Sequence, residues 1–255
     1  MTKLSVNINK VALIRNSRGR DYPSVRDFAA RCLDFGAHGI TLHPRPDQRH
    51  ARYSDITELK SLCDERGAEL NVEGYPCDEF MAAVCAARPA QCTLVPDAPG
   101  QLTSDHGWRI AENEALLRRV IGELRAREIR VSLFIDYDSE KIEAAKAIGT
   151  DRVELYTEPY AEAFGSPKSE EMVAGFRAAA LKAHQAGLEV NAGHDLNLEN
   201  LAAFLAIVPH VEEVSIGHAL IVECLASGLP TVIGRYLDIL AQAEKVEDQT
   251  AGQRG

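Results

Sequence analysis

The 255-residue sequence predicts an α/β fold, a TIM (β/α)8 barrel in a single domain, on three observations. Eight short apolar runs alternate with longer segments of helical period. Most of the short runs hold Val, Ile or Leu with little room for a solvent face, as strands of a covered parallel sheet do. The first run leads into "NINKVALIRNSRG", without the G-x-G-x-x-G turn expected of the competing doubly wound sheet. Eight such units in about 250 residues is the usual size of a barrel. The barrel is expected over 1–245, with 246–255 as a flexible C-terminal tail.

In chain order the expected strands are "LSVNI" (4–8), "GITLH" (39–43), "AELNVE" (68–73), "CTLVP" (92–96), "RVSLFI" (130–135), "RVELYT" (152–157), "LEVNAG" (188–193) and "EEVSIG" (212–217). Amphipathic segments lie between them. Residues 24–37 place Val25, Phe28, Ala29, Cys32 and Leu33 on one helical face. Residues 54–68 open on Ser54 as an N-cap and stop at Gly67. Helices are also expected over 113–129, 139–149, 169–187 and 197–208, and over 218–245 with an interruption at Gly228-Leu229-Pro230.

Composition narrows the function. The net charge is -10, with no basic footprint for nucleic acid, although a locally positive pocket can still take a small anion. No run approaches the roughly 18 apolar residues of a membrane span, and the N-terminus does not read as a signal peptide. Cys32, Cys63, Cys77, Cys85, Cys92 and Cys224 have neither paired nor metal-type spacing and read as reduced thiols of a cytoplasmic protein.

The strand ends carry the chemistry. Asn7 and Asn9, His43, Glu73, Asp136, Glu154 and Tyr156, Asn191 and His194, and Gly217 with His218 all fall at or near the ends of predicted strands. Buried strands seldom carry charge unless it is paired or functional. Alone, each residue would read as a structural ion pair or a satisfied core histidine. As a ring at one end of one barrel they converge on the mouth where such folds build active sites. The long connections 43–53, 96–109 and 157–169 point the same way. Arg18 and Arg45 lie just beyond strands one and two, and their planar forks suit phosphate. Gly193 and Gly217 allow backbone to approach a phosphate closely. The titratable set is His43, His50, Glu73, Glu154 and His194, and Lys10 is the one lysine beside a strand end.

Ordered motifs carry a family resemblance: "VNI" with "IRNSRG" and "YP" (6–23), "GAHGITLHPRPDQRH" (36–50), "LNVE" (70–73), "LVPD" with "QLTS" (94–104), "SLFID" (132–136), "VELYT" with "YA" (153–161), "LEVNAGHDL" (188–196) and "IGHALI" (216–221). Over almost its whole length the chain resembles the pyridoxine 5'-phosphate synthase family. The resemblance implies condensation of 3-amino-2-oxopropyl phosphate with 1-deoxy-D-xylulose 5-phosphate to pyridoxine 5'-phosphate, phosphate and water. It implies no metal or organic cofactor, small phosphorylated substrates as the only ligands, and a homo-octamer. It casts His43 and Glu73 as proton acceptors, His194 as proton donor and Glu154 as a stabiliser of charged transition states. Asn7, Arg18, Gly217 and His218 would hold the aminoketone phosphate. Arg45, His50 and Thr103 would hold the deoxyxylulose phosphate, under a closing loop 96–109.

The sequence departs from the family pattern at the same mouth. Asn9-Lys10 replaces the usual Asp-His, Glu73-Gly74-Tyr75 replaces "EMA", Tyr156 stands for a common His, and Asp195 stands for a Gly. These departures keep two other readings open. One is a divergent barrel that acts on or binds a related sugar phosphate. The other is a metal-dependent isomerase or aldolase with His43, Glu73, Glu154 and His194 as ligands.

Overall fold

The first strand, β1 (Lys3–Asn7), pairs in parallel with strands from both ends of the chain. It meets β2 (Gly39–Leu42) through Ser5↔Gly39 and β8 (Val211–Ile216) through Ser5↔Ser215. Between these lie β3 (Glu69–Gly74), β4 (Gln91–Leu94), β5 (Arg130–Ile135), β6 (Arg152–Tyr156) and β7 (Glu189–Gly193), each paired with the next, so the sheet closes into an eight-stranded parallel barrel. The computed structural model describes residues 1–97, 100–101, 103–139 and 141–252, with side chains to 245.

Eleven helices surround the strands among the described residues, more than the sequence pattern predicts. The helix α1 (Asn9–Asn16) fills a stretch to which the sequence pattern assigns no element, and buries Val11, Ala12 and Arg15. The next, α2 (Val25–Asp34), starts where Ser24 Oγ accepts the Asp27 N–H, and buries Val25, Ala29 and Cys32 as its periodicity predicts. For α3 (Tyr53–Arg66) the N-cap is Arg52 rather than Ser54, because Asp55 turns back to accept the Arg52 N–H at 2.8 Å. It ends at Gly67, whose φ of 62° suits a glycine. The helix α4 (Asp78–Ala87) is short and buries Phe80, Met81 and Val84, a face outside the expected helices. Then follow α5 (Ile110–Arg125), α6 (Glu143–Ala147), a short α7 (Glu158–Ala163) inside the 157–169 connection, α8 (Ser169–Gln185) and α9 (Leu201–Ile207). The chain closes with α10 (His218–Ser227) and α11 (Leu229–Gly252), which are separated at Gly228 with φ 79°. Backbone of the last helix thus continues through 246–252, where the sequence suggests a flexible tail, and 253–255 lie outside the described residues.

The main apolar core lies between sheet and helices, and a small second cluster of Val95, Phe134 and Tyr156 lies at the mouth of the barrel. Leu4, Val6, Ile40, Leu42, Leu133 and Val153 are fully buried in the main core with the inner faces of the helices. The alternate strand residues are polar and buried: Ser5, Thr41, Asn71, Thr93, Ser132 and Asn191. Ser5 and Thr41 hydroxyls meet at 2.6 Å, Thr93 Oγ1 donates to Asn71 Oδ1 at 3.0 Å, and Arg152 on β6 reaches across to Gln91 on β4 at 3.1 Å. A strand period of two therefore separates an apolar outer face from a hydrogen-bonded interior.

One ion pair fixes the top of the first units. Arg15 of α1 meets Asp55 of α3 through two bonds, of 2.7 and 2.9 Å, with both side chains buried. Arg15 and Asn16 also donate to the His50 carbonyl, which anchors the β2–α3 connection.

Candidate active site

Each parallel strand delivers its last residues to the same rim, and a cavity of about 390 Å³ opens there. Asn7, Asn9 and Lys10 line it from β1 and the start of α1. His43, Arg45 and His50 come from the segment after β2, and Glu73 from β3. Thr103 and Ser104 belong to the loop after β4, and Glu154 to β6. His194, Asp195, Gly217 and His218 complete the wall beyond β7 and β8. Ten of the eleven residues expected in the site are therefore brought together, from seven β/α units. Arg18 is not among them. It lies on an exposed turn after α1 and does not line the mouth of its own barrel.

His43 sits between two carboxylates. Its Nδ1 is 3.9 Å from Glu73 Oε2 and its Nε2 is 3.7 Å from Asp97 Oδ2, and all three side chains are buried. Burial, reinforced by Arg45, His50 and His194, still holds its pKa well below the ordinary histidine value, so the ring is neutral near pH 7. Glu73 is displaced the other way, well above the carboxylate range, by burial and then by Glu154, Glu213 and Asp97. Burial and Glu213 push Glu154 up to about 8. One Glu154 oxygen, Oε2, is buried without a hydrogen-bond partner among the described residues. Two carboxyls with raised proton affinity beside a neutral imidazole can relay protons near neutral pH.

The opposite member of the set is His194. Its Nε2 lies 2.9 Å from Thr103 Oγ1, and its ring meets the edges of Phe134 and Tyr156. Burial lowers its pKa, and Asp195 and Asp97 partly restore it. His194 and Asp195 have φ of 86° and 59°, two consecutive non-glycine residues in left-handed backbone. Such residues cost on the order of 1–3 kcal/mol each and persist only when their surroundings hold them. A Cβ at Gly193, just before them, would lie 2.6 Å from Glu154 Oε1 and 3.1 Å from the Ser215 carbonyl oxygen, so a side chain there would displace the Glu154 carboxyl.

Cations gather on the side of the β2–α3 connection. Arg45 donates to Asp97 Oδ2 at 2.6 Å and to the Gln101 carbonyl at 3.1 Å, and Arg49 also reaches that carbonyl. His50 is lowered to about 4 by burial and by Arg45 and Arg49. Lys10 is exposed at the cavity edge. Asn9 shapes the backbone of the site, because its Oδ1 accepts the His43 N–H at 2.9 Å and so sets where β2 ends. Asp195 does not turn away from the mouth. It lines the cavity with Glu158, whose pKa burial and then Asp195 raise, and the two carboxylates favour a nearby amine over a second anion.

Asp97 and Ser104 fall within the "LVPD" and "QLTS" motifs, but the sequence does not single them out as site residues. Both are buried, and Ser104 Oγ donates to Asp97 Oδ2 at 2.9 Å. Those motifs and the length of the connection point to this region. Asp136 and Asn191 go the other way: neither lines the cavity. Asp136 accepts the Gly107 N–H at 2.9 Å, and Asn191 donates to Glu213 inside the barrel. Among the described residues, no three or more His, Cys, Asp or Glu side chains are grouped to hold a metal ion.

The family model for pyridoxal phosphate biosynthesis protein PdxJ matches residues 4–242. A pyridoxine 5'-phosphate synthase of Parabacteroides distasonis is 52% identical over 236 residues, covering 92% of this chain and 98% of that protein. Those of Xanthomonas campestris pv. campestris and Christiangramia forsetii are 51% and 49% identical, each covering 94% of this chain and 96% and 100% of their own. Among solved structures, a thiamine phosphate pyrophosphorylase of Pyrococcus furiosus superposes with a TM-score of 0.63 at 15% identity, covering 94% of this chain and 96% of that one. A tryptophan synthase α-subunit from Pyrococcus furiosus gives 0.59 at 14%, covering 94% and 98%. At such identities these two are similar in fold alone.

Proposed function

We propose that this chain, which belongs to the PdxJ family of pyridoxal phosphate biosynthesis proteins, is a pyridoxine 5'-phosphate synthase. It condenses 3-amino-2-oxopropyl phosphate with 1-deoxy-D-xylulose 5-phosphate, releasing phosphate and water. The observation that carries this reading is the acid–base pairing in one mouth: neutral His43 beside Glu73, with His194 on the same cavity. Closing a pyridine ring from two ketones requires repeated proton transfers near neutral pH, and this set supplies them.

His43 and Glu73 accept protons, His194 donates, and Glu154 faces the cationic stages. Arg45, His50 and Thr103 receive the deoxyxylulose phosphate. Asn7, Gly217 and His218 receive the aminoketone phosphate, at the N-terminus of α10. Arg18 has no part in this set within a single chain. The loop 96–109, of which 98, 99 and 102 lie outside the described residues, is read as closing over the reactants, and exclusion of water protects the reactive intermediates.

The test is to mix purified protein with both substrates and follow pyridoxine 5'-phosphate by absorbance. Product is expected, and His194→Ala should lower kcat about 10²-fold or more. Substrate binding without product would point instead to a barrel that only binds sugar phosphates. The protein is further proposed to be a cytoplasmic homo-octamer. Six unpaired cysteines accord with that compartment, and cell fractionation should recover it in the soluble cytoplasmic fraction. Exposed Leu13, Ile14, Tyr22, Val222 and Leu225 accord with assembly.

A further inference from the structure

Thr157 stands at the N-cap of α7 and makes no side-chain cap bond. A threonine there ordinarily accepts an N–H of the first helical turn, which makes its disuse informative. Its hydroxyl instead turns back into the protein, fully buried, 2.6 Å from the Gly193 carbonyl and 2.7 Å from the His194 carbonyl. Its backbone N–H also donates to Gly193, at 3.1 Å. The next carbonyl, of Asp195, accepts from the buried Asn200 at 3.1 Å, and the Asn200 carbonyl is in turn held by the Tyr160 hydroxyl at 2.9 Å. Three successive carbonyls are thus gripped from behind where the backbone is left-handed.

We propose that Thr157 is a positioning residue for the reaction: its hydroxyl holds the carbonyls of Gly193 and His194 at the entry to the left-handed His194–Asp195 turn and so aims the His194 ring at the cavity. This rests on the reading of His194 as the proton donor. The hydroxyl has one proton for two carbonyl oxygens, and since the Gly193 carbonyl already accepts the Thr157 N–H, the His194 carbonyl is the one that depends on it. Without it the turn has no other side-chain donor at those two oxygens among the described residues. A ring displaced by about an ångström loses roughly 10²-fold in rate.

The test compares Thr157→Val, which keeps the shape but not the hydroxyl, with Thr157→Ser, which keeps the hydroxyl. Thr157→Val is expected to lower kcat about 10–100-fold with KM changed less than about threefold, and Thr157→Ser to retain most of the activity. In a His194→Ala background, Thr157→Val should add less than about twofold, since the ring it aims is gone. The His194 ring resonance and its NMR titration should shift in Thr157→Val and not in Thr157→Ser. Unchanged kcat and ring resonance in folded Thr157→Val would overturn the proposal, as would an equal loss in both variants. Wild-type activity in His194→Ala, with the resonance still shifted in Thr157→Val, would sink the donor reading and leave the positioning intact.

Discussion

At the scale of single residues, the mouth is governed by desolvation. Glu154 is buried beside Glu213 and has a pKa of about 8 against an ordinary 4.5. Below pH 4.5 it is protonated in both folded and unfolded chains, and its contribution to stability is fully present. Between 4.5 and 8 the unfolded chain releases the proton while the folded one keeps it, so stability falls as pH rises through about 8. Glu154→Gln removes that slope. Thermal scans from pH 5 to 9 should show the wild type losing several degrees of Tm relative to Glu154→Gln, at about 2–4 °C per kcal/mol. Parallel pH curves would contradict the burial of a neutral carboxyl. The residue types of this set are legible in the sequence, because His43, Glu73, Glu154 and His194 interrupt or end apolar runs. Their proton affinities are not, since these depend on which chain-distant charge lies alongside.

Elements show a different division. The eight strands lie within a few residues of their expected bounds, because β-branched and aliphatic runs have few other homes. The additional helices are short or occupy connections: α1 begins immediately after β1, and α7 has six residues. Such pieces are stabilised by tertiary contacts such as Arg15–Asp55 rather than by a long apolar stripe. The loop after β4 stands out in the sequence by its length and by "LVPD" with "QLTS", and the structure adds Asp97 and Ser104 to the expected Thr103. Asp97 is the counter-charge of Arg45 at the mouth, at 2.6 Å. Asp97→Asn removes that charge and leaves a buried guanidinium, at a cost of a few kcal/mol. A lower Tm is expected, recovered in part by inorganic phosphate, which replaces the carboxylate at Arg45. Equal phosphate-induced shifts in Tm for wild type and variant would show that Arg45 is not the anion site.

The whole molecule is a closed sheet, and closure decides what the strand ends share. β1 pairs with β8, so Asn7 and Gly217, 210 positions apart, come within 3.1 Å of the space a Cβ would occupy on Gly217. The exposed apolar side chains of α1 and α10 lie on two helices that pack against each other, and Tyr22 is 80% exposed just beyond α1. The proposed octamer, which the family resemblance implies, predicts that light scattering returns eight times the 27.9-kDa chain mass. Replacing Leu225, 81% exposed, and Tyr22 by Asp should reduce it, while a monomeric wild type would remove the octamer proposal.

By itself the sequence determined the barrel and most of the mouth, because apolar periodicity and polar strand ends are local properties of the chain, and its ordered motifs carried the family resemblance. Arg18, Asp97, Asp136, Asn191 and Thr157 were decided only by tertiary structure. Each depends on what lies across a gap of many residues: Arg45 for Asp97, Gly107 for Asp136, Glu213 for Asn191, the His194 carbonyl for Thr157, and open solvent for Arg18. Distance through the fold sets charge, burial and aim, and the linear chain does not contain it.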